Sequence, residues 1–556
     1  MKTSLLFLFI FLIFNPLKAQ WNSDANINTP ICTAFYKQKE QRLESDGKGG
    51  AFVVWKDWRF DGFTPDIYVQ RVDSNGYSLW TVSGAVVCDE QSDQSTPAIT
   101  TDEKDGIIIA WSDQRSGEKR DIFAQRIDAS GNKLWAVDGV PVATKIEREH
   151  SEKIVSDDNG GVFVVWEQER FDLSWDIWAQ RIDSTGNAVW VNGGIPICNV
   201  TANRINHKIQ RDGKGGFIVT WQDERSGNFD IYAQRIDANG NLKWNAAGIP
   251  VCVAPDVQSN PKIDPEKQLD GAYIAWVDKR NGNDYDVYCN RIDSNGTVLW
   301  GAMGKPVVVE SGNQSAIDIL GNNKTEGLIV TWKDRRNSNY DIYIQKIDLS
   351  GNPVWASNGI VVCDAAEDQL NPNIISDKAG GAIIAWQDFR FGEWDVFSQR
   401  ISANGILQWT ANGAAVSTAV GEQESPKNIP DNKGGSIYAW EDKRGGVSKD
   451  IYIHHLLFED TTRVGIRDEI LFGKIQVYPN PFQTSIRLSI ELEANLKVHL
   501  SLYNPIGVEV YREEKFVLVN ENKLDLDLEA LGLSSGLYYL HLQTEKGSQT
   551  LVVLKE

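Results

Sequence analysis

Five rings stand immediately before an Asp-Ile/Val-aromatic string in this sequence: Trp175, Phe229, Tyr285, Tyr340 and Trp394. Trp58, Phe60 and Phe63 lie in the loop leading to an equivalent string at 66–68, and Phe389 and Phe391 lie just ahead of Trp394. Carboxylates and amides border these rings. Such a surface suits sugars, which stack an apolar face on an aromatic plane and are oriented by a few hydrogen bonds. Trp58, Trp175, Phe229, Tyr285, Tyr340 and Trp394 therefore form the candidate ligand-binding set. The alternative role for each ring is packing on a neighbouring element.

Acid–base and metal chemistry have less to draw on. Of six His, His499 and His541 fall near the C-terminus, His454 and His455 replace a repeated Gln-Arg pair, and His150 and His207 lie near Glu149, Glu152 and Glu169. A carboxylate–His centre could form at that last cluster, but no residue is assigned as catalytic. No G-x-S-x-G, H-E-x-x-H, P-loop or EF-hand pattern occurs, and no metal or cofactor is expected. Five of the six Cys (Cys32, Cys88, Cys198, Cys252 and Cys363) share one repeat position, where other copies carry Ala143, Val308 and Ser417. A slot that accepts Cys, Ala, Val or Ser is small and mostly buried, so free thiols are expected. Export would also permit Cys32 to pair with Cys88, or Cys198 with Cys252.

What positions these residues is a repeat. Trp55, Trp111, Trp166, Trp221, Trp276, Trp332, Trp386 and Trp440 recur every 54–56 residues, each opening a W-x-D-x-R string, with Gln168 in place of Asp once. A string like DIYAQRID follows each, and seven continue through a turn to a second tryptophan: Trp80, Trp135, Trp190, Trp244, Trp300, Trp355 and Trp409. A strand-built period of this size is the signature of propeller blades. In the fourth copy the strands are read as 207–212, 215–223, 230–237 and 241–244, joined by Gly-containing hairpins. The second strand is apolar on both faces, as packing between neighbouring blades requires. The last copy lacks its second tryptophan, and Trp21 supplies it: WNSDANINTPIC at 21–32 aligns with WNAAGIPVC at 244–252. The N-terminal segment is thus expected to complete the last blade and close the ring, leaving no open edge.

The element IYAQRIDANGNLKW at 231–244 resembles the tryptophan-docking element of eight-bladed pyrroloquinoline-quinone propellers and related assembly proteins. The resemblance implies the fold alone, because the adjacent Cys pair and a set of quinone or calcium ligands are missing.

Eight internal copies separate residues that every blade needs from residues that vary. The W-x-D-x-R loops fall in the first class: Trp fills the inter-blade core, Asp accepts N–H groups of the turn, and Arg pairs with the Asp opening the next strand, Arg225 with Asp230 for example. A ring of Asp–Arg pairs binding an anion or a glycan is the alternative. Gln38, Gln94, Gln258, Gln314, Gln369 and Gln423, with Glu149 and Arg204 in the remaining copies, read as a loop hydrogen-bonding device.

The two ends carry different information. Residues 1–19 have a Lys, an apolar core from Leu5 to Phe14 and a small residue at Ala19, the layout of a secretory signal peptide. That core is too short for a membrane-spanning helix of about 20 residues, so no transmembrane segment is expected in the mature chain. The C-terminal segment is identified by Val477-Tyr478-Pro479-Asn480-Pro481-Phe482, by Leu502-Tyr503-Asn504 with Gly507, and by Gly536-Leu537-Tyr538-Tyr539 followed by Gly547 and Leu554-Lys555. It resembles the C-terminal sorting domain of cargo for the type IX (Por) secretion system of Bacteroidetes. The resemblance implies a small Ig-like β-sandwich that the type IX machinery engages through residues 474–556. It also implies passage across both membranes, removal of the domain, and attachment or release at the cell surface.

The expected organisation is all-β: signal peptide 1–19, an eight-bladed β-propeller at 20–458, a linker at 459–473 and a sorting domain at 474–556. With 56 basic and 76 acidic side chains the formal charge is −20, which argues against nucleic acid and against a strongly anionic ligand unless a local basic patch overrides the field. The leading expectation is a secreted or surface-attached binding or adhesion protein for a glycan or protein ligand. An extracellular polysaccharide lyase or hydrolase and a purely structural surface protein are the alternatives, and ionisable residues converging on the channel mouth would favour the enzyme.

Overall fold

A computed structural model describes residues 21–457, apart from 23, 118, 145–146, 267–270, 322–326 and 447, and residues 476–555, apart from 480, 490–495, 505–508, 518–522 and 545–546. The expected signal peptide and linker lie outside the described residues. The chain divides into two compact units, Met1–Thr461 and Thr462–Glu556.

The first unit is a ring of eight four-stranded antiparallel sheets, seven of them with their strands in sequence order. Blade 4 is representative: Arg204–Arg211, Phe217–Asp223, Asp230–Ile236 and Ile249–Cys252. Here the structure corrects the sequence reading, since the fourth strand is not 241–244 but the Ile-Pro-Val-Cys run that follows. Leu242 makes a single bridge to Ile236. Trp244 then leaves the sheet and packs on the next blade, its indole N–H donating to the Ser294 carbonyl at 3.2 Å. The same bond joins Trp135 to Ser184 and Trp300 to Leu349. The chain re-enters the sheet at a glycine. At Gly413 (φ +91°) a Cβ would lie 2.5 Å from the buried Trp386 ring of the same blade, so neither the conformation nor the space admits a side chain.

The eighth blade combines Gln423–Pro430, Ser436–Asp442 and Asp450–Leu456 with Thr29–Cys32, which pairs antiparallel to the third strand. Trp21 occupies the docking position, with its indole N–H on the Ser74 carbonyl of blade 1 at 2.8 Å. The ring is therefore closed by the N-terminal strand. The second strands form the core: Trp55, Trp111, Trp166, Trp221, Trp276, Trp332, Trp386 and Trp440 are all fully buried.

Each first strand carries a bulge two residues after its start, with register shifts such as that between Lys39 and Arg42. The bulged residue has positive φ in all eight blades although none is glycine: Glu40, Thr96, Ser151, Asn206, Asn260, Ala316, Asn371 and Ser425. Such residues are strained by about 1–2 kcal/mol each. In several blades the preceding blade compensates, as when the Asn206 N–H donates to Glu167 at 2.7 Å and the Asn260 N–H donates to Gln222 at 2.9 Å.

The second unit pairs a three-stranded sheet (Gln476–Tyr478, Ser485–Ser489, Lys523–Asp527) with a four-stranded one (Glu509–Val517, Leu496–Tyr503, Gly536–Thr544, Gly547–Lys555). Phe482, Ile486, Leu500, Leu526, Leu540 and Val553 are among its buried core.

Candidate functional site

The W-x-D-x-R loops lie with the inter-blade connections on one face, and their motif residues are structural. In blade 1 the Asp57 carboxylate accepts the Trp55 indole N–H at 2.7 Å, the Arg59 backbone N–H at 2.9 Å and the Arg59 guanidinium at 2.5 Å. Arg59 also stacks on Tyr68 and donates to Cys32 Sγ at 3.2 Å. The expected pairing of Arg225 with Asp230 is replaced by the same arrangement: Arg225 is bound to Asp223, and Asp230 is held by Ser226 and the Ala254 N–H. The nearer carboxylate wins because the tryptophan N–H and the turn already fix it beside the guanidinium. Each repeat cysteine sits under the Arg of the following blade. All six cysteines are unpaired and buried, and burial pushes the Cys32, Cys88, Cys252 and Cys363 thiols up to about 12.

The six aromatic residues of the candidate set occupy the blade seams. The carbonyls of Phe229, Tyr285, Tyr340 and Trp394 each accept the N–H of the first-strand Gln of the next blade. The Tyr340 and Tyr285 N–H groups donate to Asp368 and Asn313 of that blade at 2.9 and 3.1 Å. These positions are thus rigidly held. Their rings are half-buried and partly covered: Trp175 by His150 at 4.2 Å, Tyr340 by the Lys333 ammonium at 4.3 Å, and Trp394 by Phe389 at 4.9 Å. Trp58 is buried, with the Lys37 and Lys56 ammonium groups 4.4 and 4.8 Å from its ring. The fully presented rings are others of the same loops: Phe35, Phe60, Phe63, Phe171 and Phe391 are 68–92% exposed.

The His–carboxylate cluster is drawn into the blade packing. His207 is buried and shared between Glu167 (3.3 Å) and the Val165 carbonyl (3.1 Å). Glu152 is buried and accepts the Thr96 and Ser112 hydroxyls at 2.7 and 2.8 Å. His150 lines a separate 470 Å³ hollow with Arg120 and Arg148. Among the described residues no group of three or more His, Cys, Asp or Glu could hold a metal ion.

The sequence reading missed a cavity of 530 Å³ in the central channel, lined by first-strand residues including Arg42, Lys208, Lys262, Asn373 and Lys427. Its signal was present four residues after each recurrent Gln or its substitute, a position the bulge turns toward the channel.

In the second unit Tyr478 ends its strand, while Pro479 and Pro481 are exposed in the turn that follows. Phe482 is buried, its N–H on the Leu554 carbonyl at 2.8 Å, which ties the motif to the last strand. Gly536 has φ +149°, and the buried Tyr538 donates its hydroxyl to the Ser534 carbonyl at 3.0 Å. Asn480 and Gly507 lie outside the described residues.

Residues 476–555 match the family described as the secretion system C-terminal sorting domain. No curated protein sequence matches the chain. Among solved structures, a puromycin hydrolase is similar at 10% identity and a TM-score of 0.40, over 78% of this chain and 63% of that one. A Hadza microbial sialidase gives 10% identity and 0.34, over 56% and 66%. The β-propeller domain of the Trilobed protease from Pyrococcus furiosus gives 11% and 0.37, over 66% and 95%. This chain spans less than two thirds of the first two proteins, and likeness this loose carries nothing from them to it. Among the described residues no helix is long and apolar enough to cross a membrane.

Proposed function

We propose that this type IX cargo is a glycan-binding protein whose propeller presents its loop face to the ligand outside the cell. The sorting domain assigns export to the cell surface or beyond and engagement of the type IX machinery; removal of a signal peptide at 1–19 belongs to the proposal. The observation that carries the binding role is the set of exposed rings: Phe60, Phe63 and Phe391 on loops braced by Asp–Arg latches, with Phe171 on the loop held by Arg170 and Phe35 in the adjoining inter-blade connection. Exposed large rings on a rigid scaffold offer stacking area at little entropic cost. Half-buried Trp175, Phe229, Tyr285, Tyr340 and Trp394 would supply ring edges between them, with Trp58 beneath. The lyase or hydrolase alternative gains little, because the carboxylates nearest the His residues are committed to blade packing.

The test is an array of neutral and acidic polysaccharides probed with the mature full-length chain. At least one glycan should bind, and Phe60→Ala with Phe63→Ala, Phe391→Ala, and Trp175→Ala should each weaken it at least about tenfold while the exposed-ring variants keep parental thermal stability. Absence of any glycan binding, or equal binding by all variants, overturns the proposal.

A further inference from the structure

The residue four positions after the start of each first strand is Arg42, Ala98, Lys153, Lys208, Lys262, Asp318, Asn373 and Lys427 around the ring. Five of eight are cations and one is an anion, in a chain whose formal charge is −20. Arg42, Lys208, Lys262 and Lys427 line one cavity, and the charges act on one another: Lys153 and Lys262 on Lys208, Arg42 and Lys262 on Lys427, and Arg42 on Lys153. The hydrogen bonds of four of them run to neutral oxygens. Arg42 donates to the Gln41 carbonyl, Lys153 to those of Ser151 and Glu152, Lys208 to that of His207, and Lys427 to the Asn373 amide oxygen.

Of the nearby carboxylates, Asp318 pairs with one ring cation and the others are engaged outside the ring. Asp318 takes Lys262 at 3.1 Å and the Ile374 N–H at 3.1 Å. Glu40 is 3.6 Å from Lys56 and accepts the Thr96 N–H, and Glu441 takes Lys449 and the Glu40 N–H. Glu152 and Glu167 hold the hydroxyls and the imidazole already described. Like charges gathered this deep repel one another strongly, because little water screens them. A structure retains such a ring where something neutralises it.

We propose that the central channel is a binding site for a compact, multiply charged oxyanion, phosphate or sulfate, free or as an ester terminating a glycan. Tetrahedral oxyanions offer several acceptors to ammonium and guanidinium donors arriving from different sides. The site is independent of the loop-face rings, since none of them lines the channel cavity. It also reverses the expectation from net charge: the local basic ring overrides the acidic field of the chain. Two lysines show the mutual repulsion of the ring. Burial, then Lys153 and Lys262, pushes Lys208 down to about 7, against the opposing pull of Glu167. Burial, then Arg42, pushes Lys427 down to about 8, with Asp318 opposing and Lys262 adding to the fall. An anion between them restores both protons, so binding takes up protons and weakens as pH rises through 7–9.

Calorimetric titration of the mature full-length chain with inorganic sulfate tests this, because sulfate keeps its charge over that range. Submillimolar binding at pH 6.5, proton uptake on binding near pH 8, and at least about tenfold weaker affinity at pH 9 are expected. Lys208→Met with Lys427→Met should reduce affinity at least about tenfold. Asp318→Asn, which removes the only carboxylate at this position of the ring, should increase it, and so tests the idea even if the double variant folds poorly. Comparing inorganic phosphate and sulfate with glucose 6-phosphate and glucose 6-sulfate distinguishes a free ion from an ester. No binding of any of the four at 10 mM (roughly the weakest useful affinity), or affinities unchanged in all variants, overturns the proposal whether or not the array finds a glycan.

Discussion

Two aspartates face each other across the second and third strands of blade 7, Asp388 and Asp395, and blades 1 and 8 repeat the pair as Asp57 with Asp66 and Asp442 with Asp450. The first of each pair accepts the indole N–H and the guanidinium. Burial, with neighbouring carboxylates adding repulsion, pushes Asp66 and Asp395 up to about 7 and Asp450 up to about 6. An unfolded Asp titrates near about 3.9, so the folded state binds the extra protons between about 4 and 7. These groups therefore stabilise the fold at the acid end of that window, and their contribution is lost as pH rises through it. Urea midpoints at pH 5 and pH 8 should differ less in Asp395→Asn than in the parent; an unchanged difference would refute the assignment. At Gly413 a methyl group meets the Trp386 ring in a left-handed backbone, so Gly413→Ala should cost about 3 kcal/mol in the same denaturation experiment.

At the scale of the strand, the docking tryptophan holds successive blades together. Trp135 is 8% exposed and bonded to the next blade, so Trp135→Ala should destabilise by about 3–5 kcal/mol. Trp21→Ala removes a half-buried ring and should cost less, with hydrogen-exchange protection lost first where blades 8 and 1 meet. Much of this was legible beforehand, because a Trp at the same place in seven repeats and a displaced eighth at the N-terminus require a ring closed by the first segment. The fourth strand was misplaced because Asn241–Trp244 carries the strand-like pattern while Ile249–Cys252 is short and half proline and cysteine. The Arg–Asp partner was misjudged because sequence spacing shows which charges are near, not which is already fixed by a third group. Phe60, Phe63 and Phe391 were legible as loop aromatics, but that they are the exposed rings while Trp58 and the residues before the third strands pack into the seams depends on tertiary contacts. The channel cations escaped because a bulge that reverses φ at Glu40 and its seven equivalents changes which later side chains face the axis, and periodicity alone assumes an unbroken strand.

For the molecule as a whole, the pairing of Thr29–Ile453 and Cys32–Ile451 joins positions more than 400 residues apart. Chains dominated by such distant pairings fold slowly, since the loop must close before the contact repays it. The first strand of the propeller must wait for the strands of its last repeat. A ribosome or a translocon therefore handles a growing row of blades with an unclosed seam, and no earlier repeat can lock the ring in its place because none presents the final edge. Closure thus reports that the last repeat has arrived.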